Sequence, residues 1–192
     1  MTRVACALLL VATPALADEV FLPEAAAPAA IFGAGVSAER HTLELGEAEL
    51  AAISQQLGKR VEQRRYTYLL VFGSNAHAGG SGVAQGDGRG AVLGAVLFLD
   101  VVGQNLPIGF AAGLRPDGTL QDLQVTVYRE PYGKEINERR FRAQFRGKSA
   151  RDPLRLGKDI DAISGASISS QSAAYAARKA LALSPYVFRR AP

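Results

Sequence analysis

Four segments between residues 66 and 128 are rich in β-branched, aromatic and aliphatic residues, as strands are. The links after the second and third segments are short and have turn chemistry: Gln104-Asn105 and Arg115-Pro116-Asp117-Gly118. Parallel neighbours would need a crossover of about a dozen residues or more, so these links predict an antiparallel sheet. The four predicted strands are YTYLLVF ending at Phe72, AVLGAVLFLDVVG from Ala91 to Gly103, LPIGFAAGL, and LQDLQVTVY ending at Tyr128.

Helical patterns precede this run of strands. The alanine- and proline-rich residues 18–40 predict a short helix from Pro23 followed by a loop. Residues 47–57, EAELAAISQQL, predict a second helix with one apolar face formed by Leu50, Ile53 and Leu57. Gly58 stands where a helix end favours glycine.

Two more helical patterns follow the strands. Residues 134–145, KEINERRFRAQF, predict a helix that turns Ile136, Phe141 and Phe145 toward the core. The segment SSQSAAYAARKALAL predicts a final helix beginning near Ser169. The pattern as a whole predicts an α+β fold, a twisted antiparallel sheet flanked by N-terminal and C-terminal helices.

The first 17 residues, MTRVACALLLVATPALA, have the organisation of a secretory signal peptide. Arg3 precedes an apolar run from Val4 to Ala12, and Ala15-Leu16-Ala17 is a small-residue cleavage pattern. A retained membrane anchor is the alternative, but this run is shorter than the roughly 20 apolar residues that span a bilayer. We therefore expect a periplasmic or otherwise exported protein, soluble after cleavage, with an N-terminal helical segment at 18–60 and one further domain at 61–192.

Cysteine and histidine content excludes several kinds of site. Cys6 is the only cysteine and lies within the predicted signal, so the processed chain has no thiolate, disulfide, iron-sulfur or cysteine-zinc chemistry. His41 and His77 are the only histidines and are far apart, and no metal site is predicted. The net charge of +4 is modest and the basic clusters lack interleaved aromatic residues, so no nucleic-acid partner is predicted either.

A glycine-rich stretch at residues 73–90 separates the first two predicted strands. No Gly-Lys-Ser/Thr closes it and it leads into a strand, so a mobile hairpin loop is favoured over a phosphate-binding loop. Gly147-Lys148-Ser149 also fails as a nucleotide-binding motif, since Arg142 stands where the motif requires glycine.

The segment DIDAISGASISS, residues 159–170, concentrates four serines in a small-residue turn. A nucleophile elbow requires a second glycine where this chain has Ser169, and neither histidine is nearby in sequence. A serine hydrolase is therefore disfavoured, and no catalytic residue is predicted. The alternative is a helix start, with Ser167, Ser169 or Ser170 capping free N–H groups. A phosphate at this position would also meet the positive end of the final helix.

Residues 161–167, Asp-Ala-Ile-Ser-Gly-Ala-Ser, resemble the Asp-x-x-Ser/Thr-Gly-Ala-Thr/Ser motif of covalent FMN-binding domains. That family includes flavin-bearing subunits of Rnf complexes and of sodium-translocating NADH:quinone reductase, and smaller exported flavoproteins. The resemblance implies a phosphoester between FMN and the hydroxyl of Ser167, made by a flavin transferase that uses FAD and requires magnesium. It also implies that Asp161, Ser164, Gly165 and Ala166 are the segment that the transferase recognises.

The chain departs from that family's pattern in two respects, one concerning the family as a whole and one concerning its ion-pumping members. The family more often has threonine where this chain has Ser167, but both residues carry the required hydroxyl. The pumping subunits have a membrane helix and a Glu-Thr-Pro-Gly-type turn, whereas this chain has a signal-like segment and Glu130-Pro131-Tyr132-Gly133. The resemblance therefore implies a stand-alone exported carrier at residues 61–192, which exchanges electrons with a membrane or periplasmic redox partner.

The turn Glu130-Pro131-Tyr132-Gly133 is the predicted second side of the flavin site. Tyr132 would cover the ring and Gly133 would let the backbone approach it. An ordinary turn between sheet and helix is the alternative. For the chain as a whole, a redox carrier is favoured over an independent enzyme. The alternative function is a secreted ligand-binding or assembly domain of the same fold without covalent flavin.

Overall fold

The computed structural model describes residues 18–74 and 90–190. Within these ranges all the strands lie in one six-stranded sheet, ordered β1-β6-β5-β4-β3-β2, and each neighbouring pair is antiparallel. The strands are β1 Glu19–Val20, β2 Ser37–Glu44, β3 Arg65–Phe72, β4 Val92–Val102, β5 Pro107–Leu114 and β6 Leu120–Tyr128. The predicted α+β class and the four predicted strands are confirmed.

Four α-helices and three short 3-10 turns accompany the sheet in these ranges. The helices are α1 Ala27–Phe32, α2 Glu47–Leu57, α3 Arg139–Arg142 and α4 Ser167–Arg189. The 3-10 turns are Glu24–Ala26, Lys134–Asn137 and Ala143–Phe145. Helix α2 has the predicted bounds, and its buried residues are Leu50, Ile53 and Leu57, as the pattern indicates. Gly58 ends it in the left-handed conformation, with φ of 64°.

The helices cover the two faces of the sheet unequally. Helices α2 and α4 enclose the larger core, whose inner face includes Tyr66, Leu97 and Phe110. The short α1 covers a smaller cluster on the opposite face, built around Ile31 and Val71. The alternation of side chains along each strand produces this division, since successive residues face opposite sides. Because α4 packs in the larger core, the helix and its first residues lie against one face of the sheet.

The sequence pattern predicted a helical segment at residues 18–60, but this segment also contains two strands. These are β1, which pairs with β6, and β2, which pairs with β3 along its whole length from Ser37 to Glu44. Strand β2 is an edge strand whose residues are mostly exposed, with Leu43 buried. An edge strand with so few apolar residues has little of the alternating pattern that identifies a strand in sequence.

The helix predicted at 134–145 is broken into three short pieces. Glu138 has extended dihedral angles, φ −65° and ψ 141°, and separates the first 3-10 turn from α3. The predicted core positions are nevertheless correct, because Ile136, Phe141 and Phe145 are all buried. The apolar spacing was therefore recognised correctly, while the helical continuity was wrong.

Two predictions lie outside the described residues: the signal peptide at 1–17 and most of the glycine-rich loop at 73–90. Among the helices of the described ranges, none combines the length and apolar character needed to cross a membrane.

Candidate functional site

The serine segment forms a tight turn that ends in the first residue of α4. Ser164 and Gly165 are exposed, and Gly165 has φ of 80°, a conformation that suits glycine. The N–H of Ala166 donates to the carbonyl of Ile163 at 3.0 Å, which closes the turn. Ala166 is buried, whereas Ser167, the first residue of the helix, is exposed. The turn therefore presents Ser164, Gly165 and Ser167 to solvent.

The serine side chains have different partners. Ser169 Oγ lies 2.8 Å from Tyr128 Oη, and Ser170 Oγ accepts the N–H of Ile163 at 3.2 Å. Ser169 and Ser170 are both buried. Ser167 is exposed and its hydroxyl has no hydrogen bond to any described residue. Of these three serines, Ser167 is therefore the one whose hydroxyl is available to an external group.

Helix α4 begins without a side-chain cap. Ala166 occupies the N-cap position, and the prediction that Ser167, Ser169 or Ser170 caps the helix is wrong. The first intrahelical bond runs from the N–H of Ser170 to the carbonyl of Ala166 at 2.9 Å. The preceding N–H groups of Ser167 and Ile168 have no acceptor among the described residues. Uncapped N–H groups at a helix start favour an anionic group there.

The turn at residues 130–133 lies against this helix start. Tyr128 Oη donates to the carbonyl of Tyr132, which ties the turn to the hydroxyl of Ser169 as well. Gly133 has φ of 97°, and a Cβ there would lie 2.4 Å from Ser169 Oγ. The close approach that was predicted at Gly133 thus exists, with the side chain of Ser169 as its neighbour.

A cleft of about 240 Å³ separates the two turns. We call it the serine-turn cleft, and it is lined by Gln104, residues 130–132 and residues 165–169. Tyr132 is 81% exposed, so its ring is free to contact a ligand. The sequence-predicted residues Ser167, Gly165, Ala166, Glu130 and Tyr132 are therefore brought together around one cleft.

Glu130 lines this cleft, but its carboxylate is engaged within the protein. It accepts the N–H groups of Asn105 and Leu106, the latter at 2.8 Å, and so holds the β4–β5 turn in place. Burial acts to raise the pKa of Glu130, but these hydrogen bonds outweigh burial and the pKa is lowered overall. Glu130 is therefore an ionised group that shapes the wall of the cleft.

Asp161 faces a neighbouring cleft. That cleft, of about 480 Å³, is lined by residues 161–163 together with Phe141, Gln144 and other residues of the broken helix. The N–H of Asp161 donates to Gln144 Oε1 at 2.7 Å, and its carbonyl accepts from Gln144 Nε2 at 3.3 Å. The exposed carboxylate has no partner among the described residues. The structure thus fixes the backbone of Asp161 and leaves its side chain free.

Sequence reasoning missed the residues that join the two turns. Tyr128 ends a strand, and its hydroxyl contacts lie 4 and 41 residues away in the chain. Gln104 and Ile168 also line the serine-turn cleft. The position of Tyr128 just before Glu130-Pro131-Tyr132-Gly133 was the one available signal, because a tyrosine buried at a strand end needs a partner for its hydroxyl.

The residues around the cleft fit the phosphate end of a flavin mononucleotide. The exposed hydroxyl of Ser167 and the free N–H groups at the helix start match an anionic group. Gly165 and Ala166 carry too little side chain to shield the backbone from a ligand. A Cβ added at Gly165 would meet no atom within 4 Å, so this side of the turn is open.

Comparison with known proteins supports this reading over part of the chain. The model of the FMN-binding domain family matches residues 103–182, from the β4–β5 turn to the last third of α4. Among solved structures, Shewanella oneidensis NqrC is similar with a TM-score of 0.48 and 15% identity, covering 79% of this chain and 81% of that chain. No curated protein matches the chain. Residues 103–182, which include both turns of the site, are therefore similar to the FMN-binding domain family.

Proposed function

We propose that this protein is an exported electron-transfer flavoprotein that carries FMN through a phosphoester on Ser167. One observation carries the proposal: Ser167 presents an exposed hydroxyl, without a partner among the described residues, at the uncapped start of α4, within the region that matches the FMN-binding domain family. FMN, when bound, supplies one- or two-electron chemistry, and the protein supplies its position and surroundings. This makes the protein a redox carrier that needs no catalytic group of its own.

A partner enzyme has to make the bond. Among the described residues that line the serine-turn cleft, Glu130 and Tyr132 are the titratable ones, and the Glu130 carboxylate already accepts hydrogen bonds within the protein. A serine hydroxyl needs a base to become nucleophilic, so the base and a magnesium ion are assigned to an FAD-dependent flavin transferase. The Oγ–phosphorus bond forms as the pyrophosphate bond of FAD breaks, AMP leaves, and the serine proton passes to the transferase.

Asp161 and residues 164–166 are proposed as the segment that the transferase recognises. The Asp161 carboxylate and Ser164 are exposed and make no contact that the fold requires. Replacing Asp161 by asparagine is expected to reduce flavin attachment without changing the free energy of unfolding, because only the Asp161 backbone bonds to Gln144.

The central experiment is co-expression with a flavin transferase, followed by mass spectrometry of the intact protein. The wild type should gain the mass of one FMN minus one water, and Ser167→Ala should gain nothing. Ser167→Thr should keep the modification, since it retains a hydroxyl. Ser37→Ala removes an exposed hydroxyl on β2, far from the site in the sheet order, and serves as the matched control.

Covalent flavin on the Ser167→Ala variant would refute Ser167 as the acceptor. A colourless wild-type protein of unmodified mass would refute covalent attachment. It would favour the alternative, a secreted ligand-binding or assembly domain of the same fold.

Export is proposed from residues 1–17 alone. N-terminal sequencing of the exported protein is expected to begin at Asp18, and a chain that begins at Met1 would contradict cleavage after Ala17.

A further inference from the structure

A third cleft opens beside the middle of α4, where the end of α2 and the end of β4 meet the helix. It has a volume of about 470 Å³, and we call it the Lys179 cleft. Its polar lining includes Lys59, Asp100, Gln171, Tyr175, Arg178 and Lys179. The α4 residues among them recur at spacings of three and four, so they share one face of the helix. Lys179 lies about 18 Å along the helix axis from Ser167.

Lys179 is a buried cation that forms no ion pair with an acidic residue in the described ranges. Its side chain is 6% exposed, and Nζ donates to the amide oxygen of Gln63 at 3.3 Å. The same Nζ lies 5.0 Å from the ring centroid of Tyr66. Burial is the main cause that lowers the pKa of Lys179 to about 8. A buried ammonium that meets only an amide and a ring is costly unless an anion accompanies it.

Two further cations border the same cleft. Lys59 Nζ lies 5.1 Å and Arg178 Cζ 5.7 Å from the ring centroid of Tyr175. Neither cation forms an ion pair with any residue in the described ranges. Their contacts with the ring hold their positions and leave their charges uncompensated.

Unused hydrogen-bond donors lie beside these cations. Arg178 Nε and Tyr66 Oη are buried and have no hydrogen-bond partner in the described part of the chain. Tyr66 is 1% exposed and packs beneath Lys179. A buried donor without an acceptor loses its hydrogen bonds to water and gains none within the protein, which costs free energy. These groups therefore indicate that an acceptor is missing.

Asp100 does not supply that acceptor. It is the one acidic residue that lines the cleft, and it forms no ion pair with Lys59, Arg178 or Lys179 in the described residues. It acts to raise the pKa of Lys179 from a distance, and nearby Lys59 acts to lower it. The carboxylate of Asp100 is directed toward Gly109, where an added Cβ would lie 3.5 Å from Oδ1. The cleft therefore has an excess of positive charge.

We propose that the Lys179 cleft binds a compact oxyanion, a phosphate or carboxylate group of a small molecule, between Lys59, Arg178 and Lys179. Such a group accepts several hydrogen bonds at once and carries the charge that the three cations lack. This site is separate from the serine-turn cleft, and it does not depend on covalent flavin.

Isothermal titration calorimetry on the full chain, with inorganic phosphate, pyrophosphate and succinate at matched ionic strength, tests the proposal. The wild type should bind at least one of these probes, and their relative affinities distinguish a phosphate from a dicarboxylate ligand. Lys179→Met and Lys59→Met should each weaken binding at least tenfold. Lys158→Met, the same substitution at an exposed lysine outside the cleft, should bind as the wild type does.

Failure of the wild type to bind all three probes would overturn the proposal. Wild-type affinity in both cleft variants would overturn it too, because that result places the anion elsewhere, for example at the start of α4. Lys59 is exposed and its replacement leaves the core intact, so this variant decides the matter if Lys179→Met fails to fold.

Discussion

The start and the middle of α4 both offer hydrogen-bond donors to an anion, by different physical means. At the start, the donors are backbone N–H groups at Ser167 and Ile168, and the residues that line the cleft are uncharged except Glu130. In the middle, the donors are the side chains of Lys59, Arg178 and Lys179. The first site depends on how closely two turns approach each other, and the second depends on charge.

This difference determines how each region responds to change. Added volume or a lost hydroxyl should damage the helix start, whereas pH and charge removal should act mainly on the middle of α4.

Gly133→Ala should produce the largest loss of stability. Its Cβ would lie 2.4 Å from Ser169 Oγ and 2.8 Å from Tyr128 Oη, in a backbone with φ of 97°. Overpacking and the left-handed backbone together should reduce the free energy of unfolding by about 3 kcal/mol. Gly118→Ala is the control, since Gly118 has φ of 81° and no atom within 4 Å of an added Cβ. It should lose about 1 kcal/mol. Equal losses in urea denaturation would contradict a tight contact between the turn and the helix.

Lys179 should make stability rise with pH in the alkaline range. Burial lowers its pKa from 10.5 to about 8 in the folded protein. Between these values the unfolded chain binds more protons, so deprotonation favours the folded state. The free energy of unfolding should rise by roughly 2 kcal/mol from about pH 7.5 to about pH 10 relative to Lys179→Met, which lacks this group. Parallel pH profiles for the two proteins would show that the ammonium is not desolvated.

Tyr128→Phe should loosen the contact between the two turns at a smaller cost. The hydroxyl bonds to the carbonyl of Tyr132 and lies 2.8 Å from Ser169 Oγ, so its removal should reduce the free energy of unfolding by about 1 kcal/mol. It should also lower the yield of flavin attachment. Tyr186→Phe removes a hydroxyl that has no hydrogen bond in the described residues, and its stability should stay unchanged. The contact is refuted if both variants unfold at the same urea concentration.

Glu130 should have the smallest effect, confined to acid. Burial acts to raise the pKa of Glu130, but hydrogen bonds from the N–H groups of Leu106 and Asn105 lower it by more than burial raises it. The pKa of Glu130 is therefore below its usual value of 4.5. A carboxyl group whose pKa is lower in the folded protein than in the unfolded chain stabilises the fold fully at pH values above its unfolded-state pKa. This stabilisation is lost as the pH falls through the pKa of the folded protein. Between about pH 5 and about pH 3 the wild type should lose stability relative to Glu130→Gln. Identical acid profiles would show that the carboxylate does not hold the β4–β5 turn.

The elements that sequence reasoning found are those with strong periodic patterns. Strands β3 to β6 alternate or are continuously apolar, and α2 has both its apolar spacing and Gly58 at its end. Strand β2 was missed because its exposed residues give little alternation. The break at Glu138 was missed because the apolar spacing of 134–145 continues across it. Local pattern therefore identified buried faces better than it identified continuous elements.

The candidate site likewise combines features that are recognisable from local sequence with contacts between residues far apart in the chain. The order Asp161 to Ser167 is a local motif, so the proposed acceptor Ser167 and the resemblance to the FMN-binding domain family could be recognised from sequence. The contact of Ser169 with Tyr128 joins residues 41 positions apart, and that of Lys179 with Gln63 joins residues 116 apart. No local pattern encodes such pairs, because sheet order and helix packing decide them.

Local patterns of neighbouring residues are enough to encode the strand-rich α+β class and the serine turn. Which of Ser167, Ser169 and Ser170 stays accessible depends instead on the packing of the helix. Packing of α4 against the sheet buries Ser169 and Ser170 against Tyr128 and Ile163, and leaves Ser167 in solvent. The same packing buries Lys179 without an anionic partner, which no residue near it in sequence indicates. Burial is a property of the assembled core, and it changes what chemically similar side chains can do.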